Sequence, residues 1–299
     1  MKFLRNIIII SAIIFIGWSL KNTLFEEAAD ITVKSLSPGA ATEQVTEQVK
    51  SFSISGFSDE GNKTWEMEGK SANIFSDIID LSDINADSYG DEVKVNLKAD
   101  SGVFDRRTNG VELKDNVIIV TDEGTRLTTE VLNWDATKEL VSTDEYVFIQ
   151  RKDMDIEGTG ASAKPDLKIA QLDKDVSVKV KDPPATITCD GPLEVDYDNN
   201  VAYFNNKVKL IDPETTIDTD KATAYFDAKE KSLKKVVCEG NVSITRGKDS
   251  TYAELLTYLP GEGRVLLEGR PKIVIRDTKG LMQKSKEKKN EQAKDKKSG

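Results

Sequence analysis

The strongest constraint on this chain is a period. From Leu97 onward the sequence returns to the same two phrases about every thirty residues. An apolar residue that opens a short Thr-, Ala- or Cys-containing run recurs at Leu97, Leu127, Ile156, Ile187 and Ile217, with gaps of 30, 29, 31 and 30. A V-x-[IVL] phrase recurs at Val117/Ile119, Val147/Ile149, Val176/Val178, Val208/Leu210 and Val242/Ile244, with gaps of 30, 29, 32 and 34. Ile273/Ile275 closes that series. Between these anchors lie turn phrases, "RRTNG", "WDATKE", "KPDLK", "YDNN" and "FDAKEK", rich in residues that tolerate tight backbone. Each unit thus reads as two short alternating strands joined by a turn. No such unit buries its apolar face alone. A fixed period therefore predicts an all-β stack of ~30-residue strand-turn-strand repeats sharing one interior, from about Ser51 to Arg276.

Period-2 alternation assigns an inner face. It predicts that Leu97, Val117, Ile119, Leu127, Val147, Ile149, Ile156, Val178, Ile187, Val208, Leu210, Ile217, Val242 and Ile244 face inward. A slip of one residue would turn each of them outward. This face is aliphatic, and the whole chain is only 7% aromatic, where a tightly plugged jellyroll uses more bulk. Ala99, Thr129, Gly158, Cys189 and Thr219 stand two positions after the first anchors and are expected to leave room inside.

Composition removes most chemistry. There is no histidine, hence no imidazole base, no His-ligated metal and no Ser-His-Asp triad. Cys189 and Cys238 have no CxxC spacing and make no zinc site alone; they read as two core thiols or as one disulfide. The pairs Asp218/Asp220 and Asp196/Asp198 put carboxylates on one strand face, as a glycosidase or a calcium site would need. They adjoin turn phrases, where a solvated Asp is ordinary, and no EF-hand loop surrounds them. No phosphate-binding loop motif is present either. The expectation is no enzyme, no cofactor and no metal.

The net charge of −10 is unevenly spread. Residues 276–299 hold nine Lys/Arg and four Asp/Glu, a net of +5, so the remainder carries −15. An acidic body argues against nucleic acid as partner. The basic tail, 277–299, lacks periodicity and reads as disordered.

At the other end, Lys2 and Arg5 precede an apolar run from Ile7 to Leu20. With flanking Phe3, Leu4, Leu24 and Phe25 it approaches the length needed to cross a bilayer. Ile7, Ile10, Ile13, Phe15, Trp18 and Leu20 are the anchor residues of this reading, and Trp18 suits an interfacial position. A cleaved signal peptide is the rival, but Glu27 before Ala29 makes a poor cleavage site. The sequence therefore predicts one transmembrane helix within residues 1–25, a polar linker over 26–50, and the bulk of the chain outside the inner membrane, in the periplasm.

"FSISGFSDEGNKTWEMEGKSANIF", "LKADSGVFD" and the stretch from Thr125 to Lys168 resemble the LptC family of lipopolysaccharide-transport proteins. From Ala185, "ATITCDGPLEVDYDNNVAYFNNKVKLI" and "EGNVSI" followed by "STYAELLTY" are similar to LptA-type, or OstA-like, repeats. An LptC-like segment over 51–181 would thus run into an LptA-like segment over 185–276, with Asp182-Pro183-Pro184 as the seam. The resemblance implies an elongated, half-open β-jellyroll, the β-taco, whose groove carries lipid A acyl chains. It also implies partners: lipopolysaccharide, an inner-membrane ABC transporter that supplies the energy, and LptA or another jellyroll joined end to end by strand pairing. An anchored, non-enzymatic β-solenoid spacer with a filled interior is the alternative. The state of the interior separates the two.

Overall fold

A computed structural model describes residues 47–57, 63–89, 94–164, 168–182, 184–228 and 232–276. The anchor residues, most of the 26–50 linker, the basic tail and Pro183 of the seam lie outside the described residues. Everything regular within them is strand. In the first half these are β1 (Glu47–Phe57), β2 (Lys63–Ile74), β3 (Ile78–Tyr89), β4 (Lys94–Asp105), β5 (Gly110–Thr121), β6 (Arg126–Asp135), β7 (Leu140–Gln150), β8 (Met154–Lys164) and β9 (Ile169–Lys181). The second half has β10 (Pro184–Cys189), β11 (Leu193–Asp196), β12 (Val201–Ile211), β13 (Thr215–Phe226), β14 (Leu233–Arg246), β15 (Asp249–Leu259), β16 (Arg264–Glu268) and β17 (Lys272–Val274). β1 begins four residues before Ser51, within the stretch expected as linker.

Apart from β10/β11 and β16/β17, consecutive strands pair antiparallel. β10 and β11 together fill one rung, both pairing with β9 and with β12; β16 and β17 likewise share β15. The result is one long meander, the connection that short turns enforce. Each ~30-residue repeat is two of its rungs.

The strands do not run flat. Midway along them the register slips, between Lys98 and Ser101, Lys114 and Val117, Thr128 and Asn133, Thr143 and Tyr146, Asn205 and Val208, and Glu239 and Val242. On β5 the slip is made by Asp115 and Asn116, on β12 by Asn206 and Lys207, and on β14 by Gly240 and Asn241, all with positive φ. Asn, Asp and Gly enter that region most readily. A bulge of this kind bends the strand and turns the residues at the bend away from the interior. Leu113 and Val117 of β5 are both buried, while Asp115 and Asn116 between them are exposed.

The bends align into a corner along the meander, and the sheet folds over on itself. One arm, here arm A, carries for example residues 117–121 of β5 and 147–150 of β7; arm B carries residues 110–114 and 140–143 of the same strands. Val117, Val147 and Val176 are at most 1% exposed, and among the described residues only the opposite arm is there to cover them. Buried residues from Met67 to Leu256 form a single core. The corner is sewn by side chains: Asn116 donates to Asp100 (2.6 Å), Ser101 to Asp115 (3.1 Å), Asn241 to Asp220 (2.8 Å) and Asn206 to the Gly191 carbonyl (2.7 Å).

Candidate functional site: a cleft between the arms

Fourteen residues were expected on one inner face, and the structure puts all of them on arm A. They have two fates. Leu97, Val117, Ile119, Leu127, Val147 and Ile149 are 0–4% exposed and sit in closed core. Opposite them arm B presents Leu113, Leu132, Trp134 and Val141, all buried, which fill the space. Ile156, Val178, Ile187, Leu210, Ile217 and Ile244 instead line a cavity of about 800 Å³. Val208 and Val242, each 1% exposed, lie beside the corner and form no part of its wall.

The cavity runs from β8 to β16. Its second wall is arm B, whose contribution the periodic anchors do not mark: Leu193, Phe204, Ala222, Ala224, Cys238 and Leu256 among others. Small side chains explain why this part stays open. Ala202, Ala222, Ala224 and Cys238 stand here where Leu132 and Trp134 stand in the closed part. Packing voids arise where facing residues are too short to meet. The mouth is framed on arm A by the turn Asp212–Glu214, with Arg246 paired to Glu214, and on arm B by half-exposed Val265. The walls are otherwise almost wholly apolar, so the cleft suits an extended apolar ligand rather than a reacting polar one.

The small residues after the first anchors have a different place from the one expected. Ala99, Thr129, Cys189 and Thr219 are 4–5% exposed and sit at the inner side of the corner, where the arms meet; Gly158 is buried there too. Smallness lets the bend close. Their hydroxyls also mend the broken ladder. Thr219 Oγ1 lies 3.0 Å from the Glu239 carbonyl, 3.1 Å from that of Gly240 and 3.2 Å from that of Lys221, while the Glu145 amide donates to Thr143 (3.1 Å).

The acidic pairs are occupied by structural work. Asp218 pairs with Lys209 (3.2 Å), and Asp220 receives Asn241. Asp196 accepts from the Asn199 amide and side chain, which hold its carboxyl below the usual range, and Asp198 pairs with Lys168. Both cysteines are free and buried, and burial pushes the Cys238 thiol up to about 12. Among the described residues no cluster of His, Cys, Asp or Glu has the geometry to hold a metal, and no helix is long and apolar enough to cross a membrane.

Residues 9–181, more than half of the chain, match the family model described as Lipopolysaccharide-assembly, LptC-related. The chain belongs to that family. Residues 186–292 match a second model, LptA/(LptD N-terminal domain) LPS transport protein. A search of the curated proteins finds no match. An LptC-type segment is thus followed by an LptA-type segment, and the chain's role lies in lipopolysaccharide transport. The LptC-related family is periplasmic and anchored in the inner membrane. The first match ends in β9 and the second begins in β10, yet these strands pair without a break from Pro184↔Lys181 to Cys189↔Val176. The cavity crosses this junction: Met154, Ile156, Val178 and Val180 come from the LptC-type match, the rest of the wall from the strands that follow.

Proposed function

We propose that this LptC-related chain is a single-pass, inner-membrane-anchored carrier that holds the acyl chains of lipid A between its arms. It passes them from the Lpt ABC transporter toward the outer membrane, with no catalysis of its own. The observation that supports this most is the apolar cavity that crosses from the LptC-type into the LptA-type strands. Burying acyl carbons is worth about 0.8 kcal/mol per CH₂, so a few carbons per chain already give useful affinity. A wall of similar aliphatic rungs lets the lipid shift along with small net change in free energy. Sugars and phosphates stay off the apolar wall, at its polar rim. The chain edges support end-to-end pairing with LptA or another jellyroll: on β16 and β17 Val265, Leu266 and Ile273 are 40–65% exposed, beside backbone groups open to augmentation.

Filling the cavity tests this reading. Ala222→Leu adds carbons to open space, so stability should stay within about 1 kcal/mol of wild type. Lipopolysaccharide co-purifying with the full chain should fall several-fold. Undiminished lipid in a folded Ala222→Leu protein would favour a spacer role over a carrier.

A further inference from the structure

The cavity has a definite head. Its first wall residues are Met154 on arm A and Val195 on arm B. Just beyond them stand two polar residues on opposite lips. Alternation carries the inner face of β7 from Val147 and Ile149 on to Arg151, and that of β11 from Leu193 and Val195 on to Tyr197. The Arg151 side chain is only 12% exposed, and its Nη1 is buried with no hydrogen-bond partner among the described residues. The Tyr197 hydroxyl is in the same condition. Burial pushes the phenol's pKa well above the usual range, and the positive charge of nearby Arg151 partly offsets this.

Packing accounts for the Tyr197 ring, which lies against the core, but for neither its hydroxyl nor the Arg151 Nη1. A buried donor without a partner is destabilising, and an apolar residue at either position would continue the wall. The charge partner of Arg151 is Asp153, through Nε at a long 3.5 Å, while Nη1 has no partner among the described residues. Lys181 stands behind the same turn, bonded to the Arg151 carbonyl (3.0 Å) and to Asp155 (2.8 Å). Both groups ride on rim turns, so a slight parting of the lips admits a small group without breaking a strand pair. An unpartnered guanidinium Nη1 and an unpartnered phenol O–H together offer two donors and a positive charge, groups that suit a tetrahedral oxyanion.

We infer that Arg151 and Tyr197 form a phosphate-reading subsite at the head of the cavity, taking a phosphate on a lipid whose chains lie between the arms. The inference rests on the carrier reading above. It gives the slide an index: the apolar wall holds chains at any rung, while the phosphate fixes one position near the LptC-type/LptA-type junction.

The test compares two ligands on the full chain in non-ionic detergent: diphosphorylated lipid A, and the same lipid with its phosphates removed. Wild type should prefer the phosphorylated lipid by about tenfold or more, the scale of one charge-assisted hydrogen bond. Arg151→Gln and Tyr197→Phe should each erase most of that preference while leaving the affinity for the dephosphorylated lipid intact. Lys152→Gln, exposed on the same turn, should leave the preference whole. Tyr197→Phe should melt no lower than wild type, because it removes a hydroxyl that has no protein partner. A preference that survives Arg151→Gln would overturn the subsite. So would loss of both lipids together with a lowered melting temperature, which would mark Arg151 as structural. Full competition by millimolar inorganic phosphate would assign the site to a free anion instead. Equal binding of the two lipids by wild type would sink the subsite alone; binding of neither would sink the carrier reading with it.

Discussion

At the scale of the residue, the corner depends on backbone that few side chains can adopt. Gly191 has φ +97°, and a Cβ there would stand 2.1 Å from the Asp173 carbonyl oxygen. Gly124 also has positive φ (+82°), but a Cβ there meets nothing within 4 Å. Gly191→Ala should therefore cost at least about 3 kcal/mol and Gly124→Ala only about 1 kcal/mol, read as shifts of the urea midpoint; equal costs would mean the corner relaxes freely. Cys238 makes a prediction about pH. Its thiol rises from an ordinary 9.0 to about 12 in the fold, so the folded state holds a proton that the unfolded state loses first. That contribution is complete below pH 9 and is lost as pH climbs from 9 toward 12, at up to about 1.4 kcal/mol per pH unit. Cys238→Ala should flatten this part of the alkaline stability curve relative to wild type. An unchanged slope would show that the thiol is not the group responsible.

At the scale of the element, much of the stack was legible because its signals are local. The V-x-[IVL] anchors are strands, and "RRTNG" and "YDNN" close hairpins at residues 106–109 and 197–200. Asn109 and Asn200 supply the positive φ that ends each turn. The bend was not legible. "KDN", "NNK" and "EGN" interrupt long strands with polar residues, which in sequence look like surface positions of a straight strand. On β6, β8 and β13 the bend shifts the inward phase by one residue, from Thr129 to Leu132, from Gly158 to Ala161 and from Thr219 to Ala222, so an alternating series read from the anchors loses arm B there. Leu193 and Phe204 keep the phase of the anchors but stand beyond the polar bends at Asp190–Gly191 and Asn205–Lys207, and Leu256 lies past a phase shift on β15, so none was among the expected cavity residues. The aromatics were misjudged for the same reason: Trp134, Tyr197 and Phe204 all point inward from arm B. Whether a given rung is filled or open depends on pairs across the cleft, such as Trp134 in one region and Ala222 in another, and no spacing along a single chain encodes that.

At the scale of the whole molecule, the two family matches meet inside one sheet and one core. The strands on either side of the junction pair over six residues, Pro184 to Cys189, and share the cavity wall. The unfolding of the two segments should therefore be coupled. Trp65 and Trp134 report on the LptC-type strands, and alkylation of buried Cys238 reports on the LptA-type strands. Their urea transitions should coincide, and two well-separated midpoints would mean that the junction is only a hinge. The same continuity decides which sites can report on cargo. Val147 is 1% exposed in closed core and makes a poor probe, whereas Ile156 and Ile244 face the cavity from the two sides of the junction.

Site-specific photocrosslinking in membranes tests the central claim most directly, with a photoreactive residue at Ile156 in one protein and at Ile244 in another, exposed Lys152 serving as control. The carrier account predicts ATP-dependent lipopolysaccharide adducts at both cavity positions and none at Lys152. No adduct at either position, in protein that is folded and membrane-bound with an active transporter, would contradict it.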